Sequence, residues 1–526
     1  MNIYCFSPFG YEGNLVHIEV DLRRGIPAID IVGLADGAVK ESRERMRSAI
    51  RNSGLEFPPE RVLISLSPAD LKKEGAGFDL AVALAVLSAK DALEKKNSFA
   101  EEEIDDSVLV MGELELNGST RGVRGIHAAV STAISCGIKL CIVPEKNADE
   151  ARSVSGAKVF GAENLLEAYN AIYNKDAFTG CSSSAGNESI QGISKDAVEI
   201  NGILFPPVEE GFEYAEVHNQ EKLIRGLQIA AAGGHNVLAY GPPGCGKTMS
   251  MQKFPSLLPY LPMEQSQSTT RIFSIAGLIG ADKSIIRKPP FRIPHQTASI
   301  EGMCGGGSNC LPGEISLAHN GVLFLDEAAE FKSSVLQMLR VPLESGCITL
   351  SRAGRTTVFP ARFQLLLSSN PCPCGNYGSK TKICLCSARS VEGYWKKFSG
   401  PLLDRIDIRI QVDLKEDCKD SDIHEEENLS TNELRKKIAV AIKKQMLRQG
   451  KKNVQLIPSE ISAYCNLDKD AENFLTKTCE KFDMSPRAYS GCLKLARTIA
   501  DMEDSDKIPI EAVKEAVELR KPAVVF

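Results

Sequence analysis

The sequence predicts a multidomain α/β protein, with a mixed α+β unit first, a phosphate-binding α/β core second and an all-α unit last. Three observations carry this. Apolar strand runs and amphipathic helices are mixed through the first 176 residues. The pattern G-x-x-x-x-G-K-T at 241–248 directly follows a short apolar run. From residue 432 onward the apolar spacing is purely helical. A chain of 526 residues also exceeds what one hydrophobic core can serve.

Composition narrows the class. Hydrophobic content of 43% and charged content of 25% are ordinary for a soluble globular protein. The net charge of −6 requires any nucleic-acid contact to come from a local basic patch. The start, MNIYCFSPFGYEGN, lacks a basic stretch followed by an apolar one, and no apolar run approaches ~18 residues, so neither a secretory leader nor a membrane span is expected. Sixteen cysteines in such a chain point to reduced thiols and a cytoplasmic setting, with metal ligation where they cluster.

Taken in order, residues 1–176 read as the α+β unit. Strand patterns lie at 15–22, 61–66, 108–116 and 140–143, and helical patterns at 36–53, 78–89 and 126–135. Residues 177–204 include the Ser/Gly-rich FTGCSSSAGNESIQGISKD and read as a linker. The core spans 205–414. The acidic stretch at 415–431, with EDCKDSDIHEEEN, reads as a solvated connection. Helical patterns at 434–447, 471–482, 485–502 and 510–519 form the last unit, 432–526.

The core carries the chemistry. In GPPGCGKT, Gly241, Gly244 and Gly246 let backbone N–H groups curl around phosphate oxygens, with Pro242, Pro243 and Cys245 completing the loop. Lys247 reaches the β- and γ-phosphates, and the Thr248 hydroxyl can ligate Mg²⁺. A second apolar strand ends in Asp326-Glu327. Asp326 would hold Mg²⁺ through its water shell, and Glu327 would polarise the attacking water. A third strand ends at Asn370, which could contact the γ-phosphate or the water, or simply cap the strand before Pro371. Arg405 in SGPLLDRID could pair with Asp404 or Asp407, or reach a neighbouring subunit's γ-phosphate. Arg487 opens a helix, where a cation opposes the helix dipole unless an anion lies nearby.

These residues sit in long motifs: EVHNQ at 216–220, GPPGCGKT, PGEISLAHNGVLFLDEAAEF, FPARFQLLLSSNPCPCG, SGPLLDRID and SPRAYSGCLKLARTIAD. Together they resemble the YifB/ComM family of magnesium-chelatase-like AAA+ ATPases, over nearly the whole chain. GLADGAVKESRERMRSAIRNSG and ADLKKEGAGFDLAVAL resemble that family's Lon-protease-like N-terminal domain. The resemblance implies ATP and Mg²⁺ as cofactors and a hexameric ring with a C-terminal helical lid. It also implies Glu327 as the catalytic acid, Asn370 as sensor 1, Arg405 as a finger acting in trans and Arg487 as sensor 2. ComM proteins are implicated in branch migration of recombination intermediates, so the implied function is DNA remodelling. A chelatase-type motor acting on a protein partner is the alternative. Asn219 stands where the family usually has Gly, and Asn tolerates the left-handed conformation.

Two inserts could touch DNA. One carries Lys283, Arg287, Lys288 and Arg292 against the single acid Asp282. The other, 348–359, has β-rich arms around Ala353-Gly354, with Arg352 and Arg355 bracketing the tip. In this branch such inserts point into the ring's pore; a solvated hairpin without a ligand is the plainer reading. Cys372-Pro-Cys374 and Cys384-Leu-Cys386 could hold Zn²⁺ or remain free thiols. Finally, where the Lon-like pattern places its Ser and Lys, this chain has Gly75-Ala-Gly77 and His127-Ala-Ala129, so a scaffold or partner-binding role is expected rather than proteolysis.

Overall fold

The computed structural model describes residues 2–521 except 35, 70, 72, 74–75, 97–106, 181–191, 280–284, 308, 353–354, 378–381 and 413–428. The first unit is built around a sheet of eight strands, some alternating between core and surface and others buried along nearly their whole length. These are β1 (Asn2–Ser7), β2 (Asn14–Arg23), β3 (Ile29–Val32), β4 (Arg61–Ser67), β5 (Ser107–Val110), β6 (Leu140–Pro144), β7 (Lys158–Ala162) and β8 (Thr179–Gly180). They form one sheet in the order β8-β7-β6-β5-β1-β2-β4-β3. β1, β5, β6 and β7 run parallel, whereas β2 is antiparallel to both β1 and β4.

Helix α1 (Gly37–Asn52) is N-capped by the Asp36 carboxylate, which accepts from the Val39 N–H. It packs on α2 (Asp79–Lys96), whose run Leu80–Leu87 is buried. α3 (Ile126–Ser135) follows. The single strand pattern read at 108–116 is in fact broken after Val110. At Gly112 an added Cβ would lie 3.0 Å from Leu80, and pairing resumes in the two-residue strand Glu113–Leu114.

The core sheet obeys a different rule. Parallel strands covered on both faces should be apolar throughout, and β9 (Val237–Tyr240), β11 (Val322–Leu325) and β14 (Gln364–Ser369) have every residue buried. With β10 (Phe291–Arg292) and β15 (Ile408–Gln411) they form a parallel sheet in the order β10-β11-β14-β9-β15. Between β11 and β14 rises the hairpin of β12 (Cys347–Arg352) and β13 (Arg355–Pro360), with Arg352 paired opposite Arg355. The core helices used below are α4 (Glu221–Gly233), α5 (Lys247–Gln252), α6 (Met263–Ala276), α7 (Pro342–Ser345) and α8 (Ala388–Trp395).

The last helices are α9 (Thr431–Gln449), α10 (Pro458–Tyr464), α11 (Lys469–Lys481), α12 (Pro486–Met502) and α13 (Ile510–Arg520). A capping box, Ser430 with Glu433, starts α9, and Gly450 at φ 70° ends it. Helix α10 is absent from the sequence reading: it is short and buries only Ile461. α9 packs on α4, and α13 on β15. The buried Arg520 fastens this joint by donating to Asp407 at 3.0 Å and to the Asp404 carbonyl at 2.9 Å. Burial acts to raise the Asp407 carboxyl, but His235 and Arg520 outweigh it and hold it at about 2.

The first unit docks on α6. Arg271 donates to the carbonyls of Tyr11 (2.9 Å) and Glu12 (3.1 Å) and to the Thr132 hydroxyl (3.0 Å). Ser274 donates to Glu150 at 2.5 Å. His127 lies buried at this seam, and neither ring nitrogen has a hydrogen-bond partner among the described residues.

Candidate functional site: a phosphate-binding loop facing an acidic strand end

The outgoing ends of β9, β11 and β14 converge, because the three strands are adjacent and parallel. Gly241 continues β9 against β15, so closely that an added Cβ would meet the Val412 carbonyl oxygen at 2.0 Å. Gly244 and Gly246 take φ of 82° and 78°, and α5 begins directly after Gly246. Lys247 is buried, and its ammonium donates to the Gly241 and Pro242 carbonyls at 2.7 Å each, with Cys245 Sγ at 3.5 Å. It has no carboxylate partner among the described residues. A buried ammonium held only by carbonyls lacks its counter-charge, and a phosphate would supply it. Thr248 Oγ1 donates to Asp326 Oδ1 at 2.9 Å. Hydroxyl and carboxylate oxygens are the donors a hard Mg²⁺ ion takes.

Two further residues shape the acidic end, and the sequence reading missed both. Leu325 of β11 pairs in register with Leu367 of β14, so the next residues, Asp326 and Ser368, are neighbours. Ser368 Oγ donates to the same Asp326 oxygen and accepts the Glu327 N–H at 3.0 Å. Glu327 itself sits at φ 49° with an exposed side chain, and its Oε2 accepts from Gln296 Nε2 at 2.6 Å. Register with β11 was a readable signal for Ser368. Gln296 follows β10 after a short loop and carries no local signal. Asn370 directly follows β14 and is half-buried. Asn219 takes φ 59°, the left-handed conformation expected of it, and the adjacent Gln220 donates to the Cys245 carbonyl at 2.8 Å.

Arg405 pairs with neither Asp404 nor Asp407. It donates to the Pro401 carbonyl at 2.6 Å and to Glu344 on α7. Arg487, at the start of α12, lies 3.7 Å from the same Glu344. The anion that a cation at a helix start calls for is thus a carboxylate of this chain. The Arg405 hydrogen bond, then the Arg487 charge, lowers the Glu344 carboxyl below its ordinary value.

A family profile described as magnesium chelatase, subunit ChlI, matches residues 213–419, and that for its C-terminal part matches 428–520. A third, subunit ChlI of Mg-chelatase, matches 18–147. The uncharacterized protein YifB of Salmonella typhimurium is 38% identical over 520 residues, covering 98% of this chain and 96% of that one. The competence protein ComM of Haemophilus influenzae is 36% identical over 522 residues, covering 98% and 97%. The chain belongs to the YifB/ComM family of magnesium-chelatase-like proteins. The chain is also similar, at 23% identity over 152 residues, to part of the Lon protease of Trichlorobacter lovleyi, covering 28% of this chain and 18% of that one.

YifB/ComM membership implies nucleotide and Mg²⁺ as ligands. The structure places the basic residues less uniformly. Lys283 lies outside the described residues. Arg287 is buried, Lys288 pairs with Glu209 at 2.7 Å, and Arg292 makes a two-pronged pair with Glu314 at 2.7 and 2.8 Å. The charges of Lys288 and Arg292 are thus met by carboxylates of this chain. At the hairpin, Arg352 is exposed, while the Arg355 guanidinium lies 3.6 Å over the Phe9 ring of the first unit. Thr357 Oγ1 accepts the Tyr11 N–H at 3.1 Å beside it. The four cysteines, by contrast, do come together: their Sγ atoms all lie within 4.8 Å of one another. A backbone hydrogen bond from Asn376 and the neighbouring Cys372 hold the Cys374 thiol down at about 6. Most of the acidic stretch 415–431 lies outside the described residues. No helix among the described residues is long and apolar enough to cross a membrane.

Proposed function

We propose that this YifB/ComM chain is an AAA+ ATPase that couples ATP hydrolysis to DNA remodelling, acting as a ComM-like hexameric branch-migration motor. The observation that carries the ATPase reading is the buried Lys247 ammonium without a carboxylate, facing the Thr248–Asp326 pair across the strand ends. In this reading Lys247 and the P-loop N–H groups bind the phosphates, and Thr248 and Asp326 hold Mg²⁺, which neutralises phosphate charge when bound. Glu327 accepts the proton of the attacking water, and Asn370 orients it from the next strand. Arg405 leaves Glu344 for the γ-phosphate of a neighbouring subunit, and Arg487, as sensor 2, leaves it for a bound phosphate. The N-terminal unit, Lon-like in origin, serves as a docking scaffold, and the helices from 432 form the lid.

DNA as the substrate is supported by the competence name of the Haemophilus relative and by Arg352, exposed beside the hairpin tip. Remodelling of a protein partner is favoured by the internal pairing of Lys288 and Arg292, which removes half of the expected basic face. ATP turnover measured alone, with single-stranded DNA and with forked DNA separates the two. Strong stimulation by DNA supports the motor; equal rates in all three favour the protein substrate.

A further inference from the structure

Two residues beyond Asn370, the chain turns through Cys372-Pro-Cys374-Gly375, and Cys384-Leu-Cys386 returns to it. Cys372 is fully buried, and its Sγ accepts the Tyr377 N–H at 3.3 Å. The Sγ separations are 3.3 Å (Cys372–Cys374), 3.7 Å (Cys372–Cys384) and 3.5 Å (Cys374–Cys384). A disulfide needs about 2.05 Å. Tetrahedral thiolate zinc with Zn–S near 2.3 Å sets its sulfurs about 3.8 Å apart. The sulfurs therefore stand at the spacing of ligands, not of a bond. Around them the loop has little core of its own: Ile383 and Leu385, flanking Cys384, are 84% and 90% exposed. A segment that turns its apolar side chains to water and its thiols inward needs a staple of another kind.

The cluster also abuts the nucleotide site. At Gly375, with φ 76°, an added Cβ would lie 2.7 Å from Cδ of the P-loop residue Pro243. The Pro371 carbonyl accepts from Trp395 Nε1 at 3.0 Å, and that indole stacks edge-on against Tyr240 at the end of β9. We propose that Cys372, Cys374, Cys384 and Cys386 bind one Zn²⁺, and that this centre braces Pro243 of the P-loop and the Asn370 strand end, so that ATP turnover depends on it. Binding converts four thiols to thiolates and releases four protons, leaving a compact dianionic centre. The zinc stands on the cysteine geometry alone; the brace rests on the ATPase reading.

Elemental analysis of the reduced full-length chain should find about one Zn²⁺ per chain. Replacing it with Co²⁺ should give the intense visible and sulfur-to-metal charge-transfer bands of a tetrahedral tetrathiolate. The Cys384→Ser/Cys386→Ser variant should lose the metal, keep the cooperative melting of the rest of the chain, and lower kcat about tenfold or more. A folded parent with less than about a tenth of a zinc per chain, or without thiolate bands on cobalt loading, overturns the site; neither readout needs a variant to fold. A zinc-free double variant with parental turnover overturns the brace. A parent that holds zinc but hydrolyses no ATP overturns the brace and the ATPase reading together, and leaves the zinc standing.

Discussion

Gln296 Nε2 donates to Glu327 Oε2 at 2.6 Å, so the residue assigned to activate water has one carboxylate oxygen already engaged. The amide hydrogen bond occupies a lone pair that would otherwise be available to the proton of an attacking water. Gln296→Ala should therefore raise basal kcat, by about twofold to tenfold, without changing nucleotide affinity. A fall in kcat would mean that Gln296 positions Glu327 rather than restraining it. Glu327→Gln keeps the geometry but removes the base, so kcat should drop about a hundredfold or more while ATP still binds. Lys247→Ala should abolish binding itself. Equal loss of nucleotide affinity in the Lys247 and Glu327 variants contradicts the separate roles.

How far the site was legible follows from how local its determinants are. Asp326 and Glu327 announce themselves because they directly follow an apolar strand run, and Lys247 and Thr248 because they complete the G-x-x-x-x-G-K-T pattern that follows another. Arg405 was legible as a charge in an apolar setting, but its partner was not. Glu344 lies on the short helix α7, far from the carboxylates read beside it. The partners of Lys288 and Arg292 in the basic insert were hidden for the same reason: the charge of the insert is local, whereas Glu209 and Glu314 are not. In the fold, long helices with wide apolar faces such as α12 were readable, and α10, with one buried side chain, was not.

Arg405 and Arg487 share Glu344, whose side chain is 59% exposed; the Arg487 side chain is about half exposed, so its pair contributes little to stability, whereas that of Arg405 is largely buried. A γ-phosphate from a neighbouring subunit would compete with Glu344 for the Arg405 guanidinium. Arg405→Ala should leave ATP binding intact and remove turnover. Mixing Arg405→Ala chains with Lys247→Ala chains should restore part of it, because some interfaces then join an intact loop to an intact finger. No recovery in assemblies shown to mix would make Arg405 a structural partner of Glu344 only.

Burial, then the Arg271 charge, pushes the His127 imidazole from its ordinary value down to about 3. The sign follows directly. Between about 6.5 and 3 the unfolded chain binds this proton and the folded one does not, so stability falls as pH drops through that window. The facing acid Glu150 is buried too, and its carboxyl is raised above the usual range, chiefly by that burial. His127→Leu should flatten the stability-against-pH profile of the first unit between those limits, read by urea unfolding at several pH values. An unchanged slope would place the acid sensitivity elsewhere.

The hairpin tests the DNA reading against the docking it also performs. Arg355 lies 3.6 Å over Phe9, and such a stack contributes about 0.5–2 kcal/mol depending on how far it is desolvated. Arg352, directly opposite it in the ladder, is exposed. The two arginines should therefore separate by function. Arg352→Ala should weaken binding to single-stranded DNA of any sequence and reduce the slope of log affinity against log salt by about one unit, because one phosphate contact is lost. Basal ATP turnover should stay within about twofold, since the hydrolytic groups lie on other strand ends. Arg355→Ala should add a second effect: the first unit loosens, seen as faster amide exchange along β1 and the loop bearing Phe9. Phe9→Ala should reproduce that loosening while leaving the salt slope at its parental value. Loss of DNA affinity in Phe9→Ala equal to that in Arg352→Ala would show that docking of the hairpin, not its charge, governs binding. An unchanged salt slope in the Arg352→Ala/Arg355→Ala chain would remove the hairpin as the DNA contact and return the substrate to the protein-remodelling alternative.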